Sequence, residues 1–343
     1  MFTNKTMIIM KNFFEINRAL VAKKKIFTLF VAALCCASMF AEDYALPGKF
    51  TVNADGAQVR FSQQAILRRG ANHSIFTISS DQFLLYSYNY SSYFAWGTGD
   101  DPGYTSYKTD FVDWGDYLLD KYDNPITQQF RTLSADEWQY LLSGRENATF
   151  LCGLAQITNQ AGYDVYNGLI LFPEDAYAYK GGTSLKFSDD LKFEPYIRTN
   201  EFTYGYNEYT YEQWKQLEAH GAVFLQAATI CQNNQPYQGV WPSCSEMKDV
   251  YYWTSTGAGG GSTPSAKALY ISEQSNTTVN TALQNFPRSH QLTVRLVHDV
   301  QAGEGIENIA TPSDKARKVM MDGTLYIALP DGKIYNATGA EMK

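Results

Sequence analysis

Only a few side chains in this 343-residue sequence could do chemistry, and their spacing fits no common catalytic template. None of the four histidines forms a recognisable motif with a serine, and the Gly-x-Ser-x-Gly turn of hydrolases does not occur. The glycine run at 257–261 lacks the Gly-Lys-Ser/Thr of a phosphate-binding loop. Glu137 and Glu212 lie in the first turns of predicted helices, where capping and the helix dipole account for a glutamate without any acid–base role. We therefore predict a protein that is not an enzyme; the alternative is an enzyme with an unrecognised site.

Three cysteines lie beyond the first 41 residues, and none has a zinc-ligand partner at the usual spacing. Cys152 lies in an apolar run, which predicts a buried, unreactive thiol. Cys231 and Cys244 bracket a polar loop, and a disulfide between them would close it. The alternative is that both thiols are free. The odd number leaves at least one cysteine unpaired.

A group of aspartates between residues 100 and 123 is the remaining set of metal-type ligands. Calcium is held by clustered oxygens, but these residues lack the spacing of an EF-hand loop. A solvated acidic loop is the favoured interpretation, and a calcium site is the alternative, so no cofactor is predicted. The aspartates are Asp100, Asp101, Asp110, Asp113, Asp116, Asp120 and Asp123.

The composition limits the classes of partner. The 45% apolar content is enough for one good core, and 51 aromatic residues (25 Tyr, 20 Phe and 6 Trp) favour strands over helices. The net charge of −7, with no cluster of basic residues after the N-terminus, argues against nucleic acid as a partner.

The first 41 residues have the pattern of an export signal. Lysines at 23–25 precede an apolar run at 26–34, and small residues follow, with Ser38 and Ala41 as cleavage positions. The apolar run is shorter than the roughly 20 residues of a membrane-spanning helix. We predict a signal peptide over residues 1–41 and a secreted or cell-surface protein, with Met10 as an alternative start. An uncleaved signal anchor is the alternative.

Two short helices are predicted from paired signals. Ser134 with Glu137, and Thr210 with Gln213, form capping boxes that begin helices ending near Gly144 and Gly221. Their inner faces carry Trp138, Leu141 and Leu142 in the first helix, and Trp214 and Leu217 in the second. Strand-like runs surround them at 49–52, 57–61, 168–172, 222–225, 251–253, 268–271 and 292–297. The pattern predicts an α+β fold with small antiparallel sheets and long loops.

The end of the chain predicts a separate small module. Residues 301–313 have no periodicity and are interpreted as a linker. Residues 314–343 predict short hairpins around Asp322-Gly323 and Asp331-Gly332.

Several blocks resemble the formylglycine-generating-enzyme-like and related C-type-lectin-like domains of bacteria. They are Arg131-Thr-Leu-Ser-Ala-Asp-Glu-Trp138, Tyr252-Trp-Thr-Ser-Thr256 and Val294-Arg-Leu-Val297. Leu46-Pro-Gly-Lys-Phe-Thr-Val52 and Gly221-Ala-Val-Phe-Leu225 are similar to exported proteins of Bacteroides-type bacteria that carry this domain. The resemblance implies a C-type-lectin-like domain over residues 42–300. The tail resembles terminal modules of such proteins, some of which are sorting signals for secretion.

The sequence departs from the active members of this group. The oxidase of the family uses a cysteine pair near its final strand to bind copper, but His298 and Asp299 follow Val297 here. The Glu-Pro-Asn, Gln-Pro-Asp and Trp-Asn-Asp motifs of calcium-dependent sugar-binding members also do not occur. The resemblance therefore implies a scaffold that binds without this chemistry.

In this fold, ligands commonly contact the loops before the final strand, which here are residues 257–291. The residues predicted to contact ligand are Trp253, Ser262, Glu273, Gln274, Asn276, Asn285, Arg288 and His290. Tyr252 and Phe286 could add aromatic faces for sugars or protein side chains. The alternative is that Tyr252 and Trp253 are core strand residues and that the polar stretch is a tolerant surface loop.

The sequence thus predicts an exported, non-catalytic protein that binds a glycan or protein ligand outside the cell. It would meet a membrane only through its export signal or a surface anchor. The alternative is a structural cell-surface or fimbrial component.

Overall fold

The computed structural model describes residues 44–69, 75–78, 92–101, 107–120, 122–158, 162, 164–174, 176–178, 185–186, 191–193, 203–232, 235–236, 247–259, 263–273, 281–300, 317–321, 324–328, 334–336 and 341–342. The predicted signal peptide and linker lie outside these residues. The chain divides into two compact units between Asp299 and Val300. No helix in the described part of the chain has the length and apolar character needed to cross a membrane.

The first unit is built mainly from short strands. The strands are β1 Phe50–Thr51, β2 Gln58–Phe61, β3 Ile66–Arg69, β4 Ile75–Ile78, β5 Phe94–Ala95, β6 Arg131–Thr132, β7 Cys152–Thr158, β8 Val165–Leu171, β9 Tyr177–Ala178, β10 Leu185–Lys186, β11 Glu208–Tyr209, β12 Val223–Gln226, β13 Cys231–Gln232, β14 Gln235–Pro236, β15 Asp249–Ala258, β16 Ser265–Ser272, β17 Leu283–Pro287, β18 Gln291–Leu292 and β19 Leu296–Asp299. The α-helices are α1 Ala135–Gln139, which continues into a π-helical turn Tyr140–Gly144, and α2 Tyr211–Ala219. Short 3-10 turns are Trp114–Tyr117, Ala148–Phe150 and Tyr204–Tyr206. The described fold is therefore α+β, with few short helices and small, mainly antiparallel sheets.

Both helices begin at the capping boxes predicted from the sequence. The Ser134 hydroxyl accepts a hydrogen bond from the Glu137 amide at 3.2 Å, and the Glu137 carboxylate accepts one from the Ser134 amide at 2.8 Å. Thr210 and Gln213 form the same pair at 3.3 and 2.9 Å. The capping prediction is confirmed for both helices, and Trp138, Leu141, Leu142, Trp214 and Leu217 are all fully buried.

A four-stranded sheet joins the beginning and the end of the first unit in the order β1-β2-β19-β6. Strand β19 is antiparallel to both β2 and β6. The Arg131 guanidinium donates to the Asp299 carboxylate at 2.8–3.0 Å and to the Glu137 carboxylate at 2.7 and 2.9 Å. This clasp of Arg131, Glu137 and Asp299 holds the last residue of β19 beside the start of α1.

A second sheet has the order β11-β7-β8-β12 and is antiparallel except for the β11-β7 pair. Strand β7 lies where the sequence predicted a buried thiol but no strand. Cys152 is indeed buried, and burial raises the pKa of its thiol to about 11 although Arg145 opposes this. Gly168 lets β8 approach β12 closely, because a Cβ atom there would lie 2.5 Å from the Leu225 carbonyl oxygen.

An ion pair between the buried Arg145 and the partly exposed Glu174 ties β1 to the segment after β8. Glu174 Oε1 accepts hydrogen bonds from the Thr51 amide at 2.6 Å and from Arg145 Nη1 at 3.3 Å. The Arg145 side chain is 1% exposed, and its Nε donates to the Leu141 carbonyl at 2.8 Å. Burial lowers the pKa of Arg145, and Glu174 opposes that decrease. The guanidinium also lies 5.3 Å from the centre of the Phe50 ring.

Strands β15, β16 and β17 form an antiparallel sheet of three strands with apolar residues on both faces. Val250 and Tyr252 pack into the core cluster that contains Trp138, whereas Tyr251 and Trp253 pack into a second cluster. The sequence predicted a turn at 257–261, but β15 continues through Ala258 after a register shift. Strand β17 occupies the predicted polar loop, because an edge strand tolerates polar residues.

The second unit is an antiparallel sheet of β20 Arg317–Met321, β21 Thr324–Ala328, β22 Ile334–Asn336 and β23 Glu341–Met342. Met321 pairs with Thr324, so two residues connect β20 and β21. Ala328 pairs with Ile334 across the connection that contains Asp331-Gly332. Both predicted hairpins are confirmed.

Candidate functional site

One face of the β15–β17 sheet carries a group of contacting aromatic side chains. Tyr251 and Tyr270 are cross-strand neighbours whose rings stack with centroids 5.0 Å apart and an interplanar angle of 24°. The Phe286 ring meets the two tyrosine rings edge to face, at 5.7 and 5.8 Å between centroids. The His290 ring follows at 6.5 Å from Phe286. We call these four residues the aromatic platform.

The aromatic platform is partly open to solvent. Tyr251 is 8% exposed, and the other three members are intermediate between buried and exposed. Phe286 pairs in register with Ala266, and Ala268 is the next β16 residue on the same face. These short side chains leave space for the Phe286 ring to reach the tyrosines. The rings are therefore packed against polypeptide and remain partly accessible to water.

A carboxylate borders the aromatic platform. Asp249 precedes Tyr251 by two positions in β15, which puts both side chains on the same face. The Tyr251 hydroxyl donates a hydrogen bond to Asp249 Oδ2 at 3.0 Å. Burial raises the pKa of Tyr251, and the neighbouring Asp249 and Tyr270 raise it further, so the phenol stays protonated at neutral pH. The hydrogen bond thereby orients the carboxylate.

His290 adds a polar group without a charge. Its backbone amide donates to the Pro287 carbonyl at 2.9 Å in the turn that follows β17. Burial lowers the pKa of the imidazole below the ordinary value of 6.5. The ring is therefore neutral at pH 7, and it is partly exposed beside Phe286.

Trp253 does not reach the surface, which corrects its prediction as a ligand contact. Its side chain is 0% exposed, and its Nε1 donates to the Phe94 carbonyl at 2.7 Å. Tyr252 is 1% exposed and donates to the Gln226 carbonyl at 3.2 Å. The alternative that Tyr252 and Trp253 are core strand residues is confirmed.

Arg288 is used inside the fold. Its guanidinium carbon lies 4.1 Å from the centre of the Trp96 ring. Its Nε donates to the Ser265 carbonyl at 2.9 Å, and its Nη1 donates to the Thr109 carbonyl at 2.7 Å. The side chain thus fastens the turn after β17 to the segment around Trp96, a role that the predicted ligand contact did not include.

The other predicted contacts are spread over different places. Glu273 accepts a hydrogen bond from the Tyr204 amide at 3.2 Å and lies 3.7 Å from Lys248 Nζ. Asn285 is exposed on β17, but its position next to Phe286 directs it to the opposite face. Ser262, Gln274 and Asn276 lie outside the described residues. Of the eight predicted contacts, His290 alone is a member of the aromatic platform.

Cys231 carries a free, fully buried thiol. This differs from the predicted disulfide with Cys244, a residue outside the described part of the chain. The Cys231 side chain packs with Tyr93 and Ala228 in a small apolar cluster, and burial raises the pKa of its thiol.

Two aspartates of the acidic stretch stabilise loops by accepting hydrogen bonds. Asp113 accepts hydrogen bonds from the Gly115 amide and from the amide and hydroxyl of Thr132, at 2.9–3.1 Å. Asp120 accepts from the amides of Tyr122 and Asn124 at 2.7 and 2.9 Å. Across the described residues, no group of three or more His, Cys, Asp or Glu side chains has an arrangement that could hold a metal ion.

Sequence reasoning missed Asp249, Tyr251 and Tyr270 as members of this site. The sequence contained a sign of this grouping, because Asp249, Tyr251 and Trp253 are spaced two positions apart along one strand and therefore share a face. Alternation does not reveal which positions on that face are covered. That depends on strands and loops distant in the chain, such as the Phe94 segment over Trp253.

Comparisons of the chain with protein-family models, with curated proteins and with solved structures give no match.

Proposed function

We propose that this chain is an exported, non-catalytic protein that binds a glycan on the aromatic platform. The observation that carries the proposal is the combination of partly exposed Tyr270 and Phe286 rings with Asp249 and His290 beside them. The C–H face of a sugar ring packs on aromatic rings, while its hydroxyl groups need adjacent donors and acceptors. A purely apolar protein contact would gain nothing from the carboxylate.

The sequence supports the same proposal. The ordered blocks at 131–138, 252–256 and 294–297 resemble C-type-lectin-like domains, whose ligands commonly lie on the segments before the last strand. Phe286 and His290 belong to that stretch of the chain. The signal-like first 41 residues agree with a function outside the cell.

The proposal is tested on a glycan array with purified protein of residues 42–343, once with calcium and once with EDTA. We expect selective binding that EDTA does not abolish. Phe286→Ala and Tyr270→Ala should each weaken binding by about tenfold or more, because each removes a ring that contacts the sugar.

Matched controls come from aromatic residues elsewhere on the surface. Phe150 and Tyr206 are 40% and 44% exposed and are not members of the aromatic platform. Their alanine variants should bind like the wild type. Wild-type binding by folded Phe286→Ala and Tyr270→Ala proteins would show that the site lies elsewhere. A blank array with folded wild-type protein would reject the glycan, and a protein ligand would then be sought by pull-down.

A further inference from the structure

We infer that the aromatic platform selects uncharged glycans over glycans that carry carboxylate, sulfate or phosphate groups. This inference rests on the proposed glycan-binding function and concerns the chemical class of the ligand. It follows from where the β15–β17 sheet places its charges.

The negative charge lies on the binding face. Asp249 is partly exposed, shares its face with Tyr251 and is oriented by the Tyr251 hydroxyl at 3.0 Å. A sugar packed on Tyr270 and Phe286 would bring its substituents close to this carboxylate. An anionic substituent would meet like charge there, and the partial burial of the platform reduces the screening by water.

The lysines of the sheet lie on the opposite face. Lys267 alternates with Ala266 and Ala268, which share the face of the platform, so its side chain points away from it. Lys248 contacts Glu273 at 3.7 Å. Glu273 in turn accepts from the amide of Tyr204, a residue of the core cluster on the opposite face.

The remaining basic groups near the aromatic platform do not supply an available positive charge. The Arg288 guanidinium is directed at the Trp96 ring and at the backbone carbonyls of Ser265 and Thr109. His290 is a neutral imidazole at pH 7. Within the described residues of β15 to β17 and the turn that follows, an acidic sugar therefore finds no free cation on this face.

The same carboxylate favours a neutral sugar. Carboxylate oxygens accept several hydrogen bonds, and those from hydroxyl groups are short and strong. Tyr251 holds Asp249 in one orientation before the ligand arrives, so less freedom is lost on binding. A neutral pyranose offers an apolar face for the rings and hydroxyl donors for the carboxylate.

The test uses pairs of oligosaccharides that share one backbone and differ by a single sulfate or uronic acid group. Affinities are measured by titration calorimetry for the neutral glycan that the array identifies and for its acidic counterpart. We expect the neutral form to bind at least about tenfold more tightly. Asp249→Asn should weaken binding of the neutral form and bring the ratio of the two affinities closer to one.

Asp116→Asn is the matched control, because Asp116 is exposed on a different segment. It removes one negative charge from the protein and should leave the ratio unchanged. Thermal unfolding confirms that both variants are folded. Equal or tighter binding of the acidic form, or an unchanged ratio in Asp249→Asn, would overturn the inference.

These outcomes are distinct from failure of the proposed function. If glycans bind and Phe286→Ala abolishes binding, but acidic forms are preferred, the glycan-binding proposal stands and only the selectivity is wrong. If no glycan binds to the folded protein, the proposed function itself is rejected, and the selectivity with it.

Discussion

Arg145 is a charged residue that the first unit keeps almost entirely from water. Its side chain is 1% exposed, and its guanidinium contacts Glu174, the Leu141 carbonyl and the Phe50 ring. A buried ion pair adds little stability compared with apolar residues of the same volume, but its disruption is costly because one charge is then left buried without a partner.

We therefore expect Glu174→Ala to lower the free energy of unfolding by about 3 kcal/mol. The variant removes the partner of Arg145 and also the acceptor of the Thr51 amide. The measurement is chemical denaturation at pH 7. Glu146→Ala, at an exposed position beside Arg145, should change stability by no more than about 0.5 kcal/mol. Equal stabilities of the two variants would contradict this account of the ion pair.

A comparison of two glycines with similar φ distinguishes the energetic cost of a positive φ from the cost of close packing. Gly221 and Gly56 have φ of +90° and +82°. A Cβ atom at Gly221 would lie 2.3 Å from the Gly48 Cα, whereas a Cβ atom at Gly56 meets nothing within 4 Å.

Alanine at either glycine costs about 1 kcal/mol from the positive φ alone. We expect Gly221→Ala to cost at least about 2 kcal/mol more than Gly56→Ala, because the backbone of Gly48 must also move. Thermal or chemical denaturation of the two variants measures the difference. Similar costs would show that the segment around Gly48 yields easily.

At the scale of elements, the start of α1 combines a capping box with the clasp to β19. Burial acts to raise the pKa of Glu137, but hydrogen bonds from Arg131 and from the Ser134 amide outweigh it, and the pKa is lowered. A lowered pKa means that the unfolded chain binds the proton more readily. Glu137 therefore stabilises the fold above the unfolded pKa of about 4.3, and this contribution is lost as the pH falls through the folded pKa.

We expect Glu137→Gln to be less stable than the wild type at pH 7 by about 1 kcal/mol, since the clasp is partly exposed. Glutamine keeps the capping box. The difference should shrink as the pH falls below about 4, measured by denaturation across that range.

Glu212→Gln is the control for this pH dependence, because Glu212 is exposed in the first turn of α2. It should follow the pH dependence of the wild type. A stability difference between Glu137→Gln and the wild type that stays constant with pH would show that the clasp does not act through the Glu137 charge.

The helices were predictable from the sequence and the strand pairings were not. Ser134 with Glu137, and Thr210 with Gln213, act within four residues, so local sequence contains the whole signal. Strand β17 escaped prediction because its partner β16 supplies its hydrogen bonds and because Gln284 and Asn285 interrupt its apolar residues.

The candidate site was predicted in part for a related reason. The sequence predicts a ligand site in the stretch before the last strand, and this stretch contains Phe286 and His290. The prediction that Trp253 contacts ligand is wrong because its side chain is bonded to the Phe94 segment, which lies 159 positions away in the chain. Contacts of that separation leave no local pattern.

At the scale of the whole molecule, the division between Asp299 and Val300 predicts where the chain can be cut. Strand β19 lies between β2 and β6, and the second unit has its own sheet. We expect a chain that ends at residue 300 to fold and to keep the proposed glycan binding.

A chain that ends at residue 295 lacks β19 and should not fold, because β2 and β6 then lose the strand that connects them. Circular dichroism and thermal unfolding distinguish the two truncations. Cooperative unfolding of the shorter chain would contradict the central role of β19, and failure of the longer chain to fold would contradict the division into units.

The central position of β19 also determines how late in translation the first sheet can form. About 235 residues separate the end of β2 from the start of β19, and a ribosome needs roughly 10–50 s to add them at about 5–20 residues per second. Throughout that interval the first sheet cannot close. A nascent chain with this topology can complete its first sheet only after residue 299 has been added.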